Sequence, residues 1–210
     1  YLGHKIVTMT WIGDGGTSTG AFHEGMNLAA VQKAPFVVIV ENNQWAYSTP
    51  VSRQVPLRDL ADRARAYGIA SHIVDGNDVA AMLHVSRQAV AQARTGQGPV
   101  LIEAKTMRMS GHAQHDSAEY VPQEMMHYWK ARDPLELCRT YLTQNGLWEA
   151  DTQAALDARV ERELAQELAA AEASPFPQPE SAAPGVFCDG CHAIEPRWLR
   201  PIDEVTPPRS

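Results

Sequence analysis

The chain has 210 residues, of which 44% are hydrophobic and 20% charged, a composition typical of a globular chain with one sizeable core. Its formal net charge of −7 and the lack of a basic, aromatic-interleaved face argue against nucleic acid as a partner, and no apolar run or signal-peptide pattern indicates a membrane. Three cysteines, an odd number, do not form the pattern of a secreted disulfide framework, so we expect a cytoplasmic protein.

The first segment of the chain predicts two strands joined by a helix. Residues 6–12 are apolar and rich in β-branched side chains, which is typical of a strand buried on both faces of a parallel sheet. A Gly-Asp-Gly-Gly turn follows at residues 13–16, where small residues allow a sharp turn and a close approach to a ligand. A helix is predicted over residues 20–33. Residues 36–40 then form a second buried strand that ends at the Glu-Asn-Asn sequence of residues 41–43.

Polar groups at the ends of these two strands predict a magnesium-diphosphate site. Adjacent parallel strands would bring Asp14 and Asn43 to the same carboxyl edge, where open α/β sheets bind ligands. The carboxylate of Asp14 and the amide oxygen of Asn43 are hard oxygen ligands that suit Mg²⁺. The N–H groups of Gly15 and Gly16, with the positive end of the following helix, suit an anionic diphosphate.

Three other interpretations of the glycine turn explain fewer of these residues. A dinucleotide-binding fingerprint would need a third glycine where Ser18 stands. A nucleoside-triphosphate loop that starts at Gly15 would need a lysine where Ala21 stands. A glycine-rich turn with a purely structural role would leave the pairing of Asp14 with Asn43 unexplained.

The middle of the chain continues the alternation of strands and helices. After a polar loop over residues 51–55, the pattern predicts a helix over residues 57–67, a strand over residues 69–74, another helix, and a buried strand over residues 100–104. The helix between the last two of these strands is predicted to have an inner face that consists of Val79, Met82, Leu83, Val90 and Ala93. This alternation predicts an α/β fold with a mostly parallel sheet and helices on both faces.

Residues 105–122 interrupt this alternation. They show neither a helical nor a strand period, and a long polar loop in a compact domain is often functional. The loop contains Arg108, His112, His115 and Asp116. Solvated surface histidines would be the simplest interpretation of such a loop in isolation. Here the loop follows a strand whose carboxyl end should lie at the same edge as Asp14.

The last third of the chain predicts three helices and a tail. The helices are expected over residues 123–130, 134–144 and 151–173, and the last carries the apolar stripe Leu156, Val160, Leu164 and Leu168, which would pack on the domain or form part of a subunit interface. Residues 174–185 form a proline-rich linker. Beyond it, Cys188, Cys191 and His192 match the haem-attachment pattern C-x-x-C-H. No fourth zinc ligand is evident, so we favour local structure over a metal or haem site.

Longer motifs in the first fifty residues resemble a known family. The GDG sequence at residues 13–15, followed after 26 residues by NN at residues 42–43, is similar to the thiamin diphosphate signature. With EGMNLAA at residues 24–30 and ENNQWAYSTP at residues 41–50, the chain resembles the alpha subunit of the decarboxylating first component of 2-oxo acid dehydrogenase complexes, of the pyruvate, branched-chain or acetoin dehydrogenase type. The resemblance extends over nearly all of residues 1–180.

The resemblance implies a domain organisation. Residues 1–173 would form the C-terminal part of a thiamin diphosphate-binding fold, with a helical extension from about residue 122, and residues 174–210 would form the tail. Because Tyr1 is not an initiator residue and a buried strand is predicted almost at once, we expect the N-terminal portion of that fold to be missing.

The resemblance also implies roles for individual residues. The implied metal ligands are Asp14, the side chain of Asn43 and the backbone carbonyl of Trp45. The implied cofactor-binding residues are Gly13, Asp14, Gly15, Gly16, Asn43, Arg108 and His112. In the family's active-site loop an arginine precedes a histidine by four positions, as Arg108 precedes His112 here. His112 is the implied catalytic residue, beside the cofactor and the substrate.

The function implied by the resemblance is oxidative decarboxylation of a 2-oxo acid with thiamin diphosphate and Mg²⁺ and acyl transfer to lipoyl groups. The implied partners are a beta subunit, within an α2β2 heterotetramer, and a lipoyl-bearing acyltransferase component. Without the beta subunit the chain would be catalytically incomplete. Two alternatives remain: a cofactor-binding or scaffolding subunit without turnover, and a metal or redox module centred on Cys188, Cys191 and His192. A transketolase-type enzyme would share only the pairing of Asp14 with Asn43.

Overall fold

In a computed structural model, which describes residues 6–182, 184 and 186, the centre of the fold is a parallel sheet. The strands of the fold are β1 (Thr8–Gly13), β2 (Phe36–Asn42), β3 (Trp45–Ala46), β4 (Thr49–Pro50), β5 (Ala70–Asp75) and β6 (Val100–Lys105). The four strands of the sheet lie in the order β1-β2-β6-β5, and all neighbours are parallel. A two-stranded antiparallel hairpin, β3 with β4, follows β2. The predicted parallel α/β architecture is confirmed.

Helices connect the strands and extend the chain beyond them. The helices are α1 (Gly20–Val31), α2 (Val51–Gln54), α3 (Ala64–Tyr67), α4 (Val79–Arg94), α5 (Gln123–Lys130), α6 (Pro134–Gln144) and α7 (Ala150–Ala173). Short 3₁₀ helices span Asp14–Ser18, Leu60–Arg63 and Pro179–Ala182. In the part of the chain that the structure describes, no helix is both long and apolar enough to cross a membrane.

Alternating residues of β2 and β6 build one core on each face of the sheet. Val38 and Leu101 face a cluster that includes Phe22 and Met26 of α1. Val37, Ile39 and Ile102 face the other cluster, formed with α4. Successive side chains of a strand point to opposite faces, so the two central strands are covered on both sides. These two buried cores hold the carboxyl ends of the strands in fixed register.

The strand β1 differs from its prediction. It lies at the edge of the sheet, none of its residues is buried, and Trp11 is 56% exposed. An apolar, β-branched run is compatible with either a central or an edge strand, because the sequence pattern reports side-chain type and not the number of neighbouring strands. The prediction that this strand is buried on both faces was therefore wrong for the described chain.

Three local predictions about helices differ from the structure. Residues 51–54, predicted as a loop, form the one-turn helix α2 after Pro50. The helix predicted over residues 57–67 begins only at residue 60, as a 3₁₀ turn followed by α3. In α4 the predicted inner residues Val79 and Leu83 are 52% and 50% exposed. The residues that face the core are Met82, Val85, Ala89, Val90 and Ala93. Small alanines in that stripe allow α4 to approach the sheet closely. The prediction relied on bulky residues and therefore placed the inner face of α4 incorrectly at two positions.

The chain divides into two compact units, Tyr1–Ala150 and Asp151–Ser210. The 24-residue helix α7 begins at the last residue of the first unit and continues in the second, where its Val160, Leu164 and Leu168 are exposed. The boundary predicted at residues 173 and 174 stays a prediction. Cys188, Cys191 and His192 lie outside the described residues.

Candidate functional site

The candidate site lies at the carboxyl ends of β1, β2 and β6. Gly13 pairs with Glu41 in the β1–β2 register, so Asp14 and Asn43 follow the paired positions by one and two residues. Beyond β2, the backbone N–H of Arg108 donates to the carbonyl oxygen of Asn43 at 3.2 Å. The sheet topology and this contact bring Asp14, Asn43 and Arg108 to one edge, where parallel α/β sheets bind ligands.

Asp14 is unusual for a charged residue, because its carboxylate is almost completely buried. The residue is 2% exposed, and burial raises the pKa of its carboxyl group above the ordinary value of 3.8. Hydrogen bonds from the Gln54 amide and from backbone N–H groups oppose this shift in pKa. None of the ion pairs found in the described part of the chain includes Asp14. The more distant positive charge of Arg108 also lowers the pKa of Asp14, and a buried carboxylate that forms no ion pair is a suitable ligand for a divalent cation.

The glycine turn is tighter than the sequence predicted. Asp14–Ser18 forms a 3₁₀ helix, whose first N–H groups have no acceptor within the helix. A Cβ at Gly15 would lie 2.5 Å from the Cβ of Ala46, and one at Gly16 would lie 2.6 Å from Ile12 Cγ1. Glycine is therefore required at both positions by the fold itself. A Cβ at Gly13 would meet nothing within 4 Å.

The Asn-Asn turn after β2 is shaped by the burial of Trp45. The Asn43 side-chain oxygen accepts a hydrogen bond from the Trp45 N–H at 3.2 Å, and Gln44 adopts a positive φ of 76°. The Trp45 side chain packs with Met107 and Val121 in a third buried cluster. This packing fixes the backbone on which the predicted ligands at 43 and 45 lie. The Asn43 amide oxygen accepts one hydrogen bond and keeps a second lone pair for a metal ion.

A fully buried glutamate supports the same turn, and the sequence analysis missed it. Glu103 of β6 is 0% exposed. Its carboxylate accepts hydrogen bonds from Asn42 Nδ2 at 2.7 Å and from the Ala61 N–H at 2.8 Å, and Lys105 Nζ lies 3.8 Å away. An acidic residue within an otherwise apolar buried strand is itself a signal of a paired internal charge. This signal was available in the sequence.

The active-site loop predicted from the sequence is held to the edge by Arg108. All five N–H donors of its guanidinium contact acceptors: Nε donates to Ser110 O, Nη1 to Trp45 O and His112 Nδ1, and Nη2 to Tyr47 O and Tyr120 Oη. The two contacts of Nη1, at 3.4 and 3.5 Å, are the longest of the five. Because longer hydrogen bonds are weaker, Nη1 is the donor that an incoming anion would take over at the lowest cost.

His112 lies at the exposed surface of the loop, beside Arg108. Its ring contacts the Tyr47 ring edge to face, with 5.0 Å between centroids. Arg108 Nη1 lies 3.5 Å from His112 Nδ1, and because arginine can only donate, this contact is a hydrogen bond when Nδ1 is the acceptor. His115 is exposed, and the structure assigns it no role.

The loop conformation depends on Asp116 and Tyr120, which the sequence analysis did not assign to the site. The Asp116 carboxylate accepts hydrogen bonds from the His112 N–H and from Tyr120 Oη, both at 2.7 Å, and from the Ala118 N–H at 3.0 Å. A Cβ at Gly111 would lie 1.9 Å from the Asp116 carbonyl oxygen, so the chain closes on itself at a glycine. Asp116 thus fixes the backbone that carries His112.

We expect the order of this loop to depend on pH through Asp116. The hydrogen bond from Tyr120, followed by those from the His112 and Ala118 N–H groups, lowers the pKa of Asp116 from 3.8 to about 2. A pKa lower in the folded state means that the stabilisation is complete above about pH 4 and is lost as the pH falls towards 2. Amide hydrogen exchange across the loop, corrected for intrinsic rates, should show protection falling over this range. Asp116→Asn should remove the step and Asp157→Asn, in α7, should retain it; an equal step in both variants would contradict the assignment.

The donor set at this edge is consistent with Mg²⁺ and a diphosphate. It comprises one carboxylate, one amide oxygen and backbone carbonyls, which suits a cation that also takes phosphate oxygens and water. Among the residues that the structure describes, no cluster of three or more His, Cys, Asp or Glu side chains offers an alternative metal site. The buried carboxylate of Asp14 is the observation on which the fit depends.

The fold defines an α/β domain with a parallel sheet, and domains of this class bind ligands at the carboxyl ends of their strands. The family model described as dehydrogenase E1 component matches residues 1–180. The chain belongs to this family, which confirms the resemblance inferred from the motifs. Components of this family depend on thiamin diphosphate.

Individual relatives carry the names of two kinds of 2-oxo acid dehydrogenase. The chain is 45% identical over 75% of its length to the 3-methyl-2-oxobutanoate dehydrogenase subunit alpha of Mycobacterium tuberculosis, covering 43% of that protein. It is 42% identical over 79% of its length to the mitochondrial 2-oxoisovalerate dehydrogenase subunit alpha 1 of Arabidopsis thaliana, covering 35% of it. It is 38% identical over 82% of its length to the pyruvate dehydrogenase E1 component subunit alpha of Bacillus subtilis, covering 47% of it. The chain thus spans less than half the length of these three relatives.

Proposed function

We propose that this chain binds thiamin diphosphate with Mg²⁺ and acts as the alpha subunit of a 2-oxo acid dehydrogenase first component. The observation that carries the proposal is the buried Asp14 carboxylate, which forms no ion pair among the described residues and lies at the same sheet edge as Asn43. Membership of the dehydrogenase E1 component family supports the choice of cofactor.

The side chains of Asp14 and Asn43 and the backbone carbonyl of Trp45 would ligate the cation. One lone pair of the Trp45 carbonyl already accepts a hydrogen bond from Arg108 Nη1 at 3.4 Å, and the second is available. Release of the two long contacts of Nη1 would free this donor for a phosphate oxygen.

The diphosphate would lie against the 3₁₀ turn. The required glycines Gly15 and Gly16 allow the backbone to approach it closely, and Gly13 leaves open space before the turn. The N–H groups at the start of the turn and the guanidinium of Arg108 would donate to the phosphate oxygens. His112 would lie beside the reacting part of the cofactor.

Thiamin diphosphate, when bound, would supply the nucleophile and the electron sink that decarboxylation of a 2-oxo acid requires. The residues of this chain would hold the cofactor, orient its phosphates and place the imidazole of His112 beside the reacting atoms. We further propose a beta subunit that completes the pocket in an α2β2 assembly, and a lipoyl-bearing acyltransferase component that accepts the acyl group. The substrate class is a 2-oxo acid, as in the names of the relatives.

The proposal is tested by reconstitution with a beta subunit of the same enzyme class. We expect decarboxylation of pyruvate or 3-methyl-2-oxobutanoate to require both chains, thiamin diphosphate and Mg²⁺, and to be lost in His112→Ala with cofactor binding weakened less than turnover. Cofactor binding without turnover in the complete assembly would favour the catalytically incomplete subunit instead. Absence of both would contradict the proposal.

A further inference from the structure

We propose that Gln54 is a positioning residue that orients the Asp14 carboxylate towards the divalent cation, an inference that rests on the proposed function. The Gln54 side-chain amide donates to Asp14 Oδ2 at 3.2 Å and to the Thr49 carbonyl oxygen at 3.0 Å. The two residues are 40 positions apart in sequence. Gln54 is only partly buried, whereas the carboxylate that it contacts is 2% exposed.

The orientation of the Gln54 amide is determined by its two acceptors. A carboxylate oxygen and a backbone carbonyl can only accept, so both N–H bonds of Nε2 are used and a flipped amide would set oxygen against oxygen. The amide oxygen then points to the glycine turn, 3.5 Å from the position of a Cβ on Gly15. With Oδ2 of Asp14 held in this way, the remaining lone pairs of the carboxylate have one defined direction.

The neutral charge of the amide matters for the function. A lysine or arginine at position 54 would satisfy the buried carboxylate more strongly, but it would neutralise the charge that attracts the cation and would repel the cation itself. A second carboxylate would raise the pKa of Asp14 further. An amide donor holds one oxygen and leaves the negative charge available, as hydrogen-bonded partners of metal ligands commonly do.

The position of Gln54 also connects the two halves of the site. It ends the helix α2, which begins directly after the hairpin strand β4, and β4 pairs with β3, which contains Trp45. The Val51 N–H donates to the Gln44 carbonyl oxygen at 3.1 Å, so α2 is also fixed to the Asn-Asn turn. Through Thr49 and Asp14, Gln54 therefore links the turn that carries the predicted ligands Asn43 and Trp45 to the turn that carries Asp14.

The test compares Gln54→Met, which keeps the length of the side chain and removes its hydrogen bonds, with Gln88→Met, the same change at an exposed glutamine of α4. The probe is Mn²⁺ in the presence of thiamin diphosphate, with free Mn²⁺ followed by its paramagnetic resonance signal. Because the loss of a hydrogen-bonded partner of a metal ligand weakens metal binding about 10–100-fold, we expect Gln54→Met to bind Mn²⁺ at least about tenfold more weakly than the wild type. Gln88→Met should bind as the wild type does.

The outcomes separate this inference from the proposed function. If Asp14→Ala weakens Mn²⁺ binding and Gln54→Met does not, the positioning role is overturned and the cofactor site stands. If neither change matters, or the wild-type chain binds no Mn²⁺ with the cofactor, both proposals are overturned. A melting temperature lowered in Gln54→Met with unchanged Mn²⁺ affinity of the folded chain would identify a purely structural role and would also overturn the inference.

Discussion

Replacement of Asp14 by alanine is expected to weaken Mg²⁺-dependent binding of thiamin diphosphate by at least about 100-fold. Loss of a direct metal ligand should weaken metal binding more than loss of a hydrogen-bonded partner of a ligand, which weakens it about 10–100-fold. The same change should not destabilise the chain in the absence of ligands. The Asp14 carboxylate is 2% exposed and burial raises its pKa, so its removal relieves a desolvation cost that no side-chain ion pair offsets in the described residues.

Two titrations and one unfolding experiment check this expectation. Calorimetric titration of thiamin diphosphate, with and without Mg²⁺, should show a strong metal dependence in the wild type and almost none in Asp14→Ala. Urea unfolding without ligands should give a midpoint no lower for Asp14→Ala than for the wild type. Asp62→Ala is the matched control, because the Asp62 carboxylate forms a surface ion pair with Arg65 at 3.4 Å, a type of contact that contributes little to stability. Equal metal dependence in wild type and Asp14→Ala would refute the assignment of the ligand.

The sequence predicted the central strands of the sheet well, because their burial on both faces follows from the type of their side chains. The runs at residues 36–40 and 100–104 contain almost only apolar residues, and they form the two central strands, with a buried core on each face. The run at residues 6–12 is similarly apolar and lies at the edge. The difference depends on which segments of chain lie beside the strand, and no local pattern contains that information.

The residues of the candidate site could also be predicted from the sequence only in part. Asp14, Asn43 and Arg108 could be found because chemically distinctive residues follow strand ends, and the order of parallel strands brings those ends together. Gln54 could not be found in this way, since its contact with Asp14 joins a one-turn helix, predicted as loop, to a residue 40 positions earlier. The roles of Asp116 and Tyr120 likewise depend on a loop conformation without a sequence period.

Glu103 is expected to be the residue of the sheet least tolerant of an apolar substitution. Its carboxylate is fully buried and accepts from Asn42 Nδ2 and the Ala61 N–H, so Glu103→Leu would leave two buried donors without acceptors and Lys105 without this neighbouring charge. Breaking a buried charge network in this way costs about 3–5 kcal/mol of the free energy of unfolding. Urea unfolding of the ligand-free chain measures the loss.

Glu103→Gln should lower the free energy of unfolding by less, about 1–3 kcal/mol. This variant also tests how the glutamate supports the candidate site. The new amide can present its oxygen to the Ala61 N–H, but its nitrogen then faces Asn42 Nδ2, and the Asn42 amide must turn. Turning Asn42 removes the acceptor of the Gln44 N–H, now at 3.3 Å, and so loosens the turn that contains Asn43. We therefore expect Glu103→Gln to weaken cofactor binding as well as stability, whereas Glu119→Gln, at an exposed loop position, should change neither. If Glu103→Gln lowers stability but leaves Mg²⁺-dependent binding unchanged, the buried glutamate supports the sheet alone and not the predicted ligand.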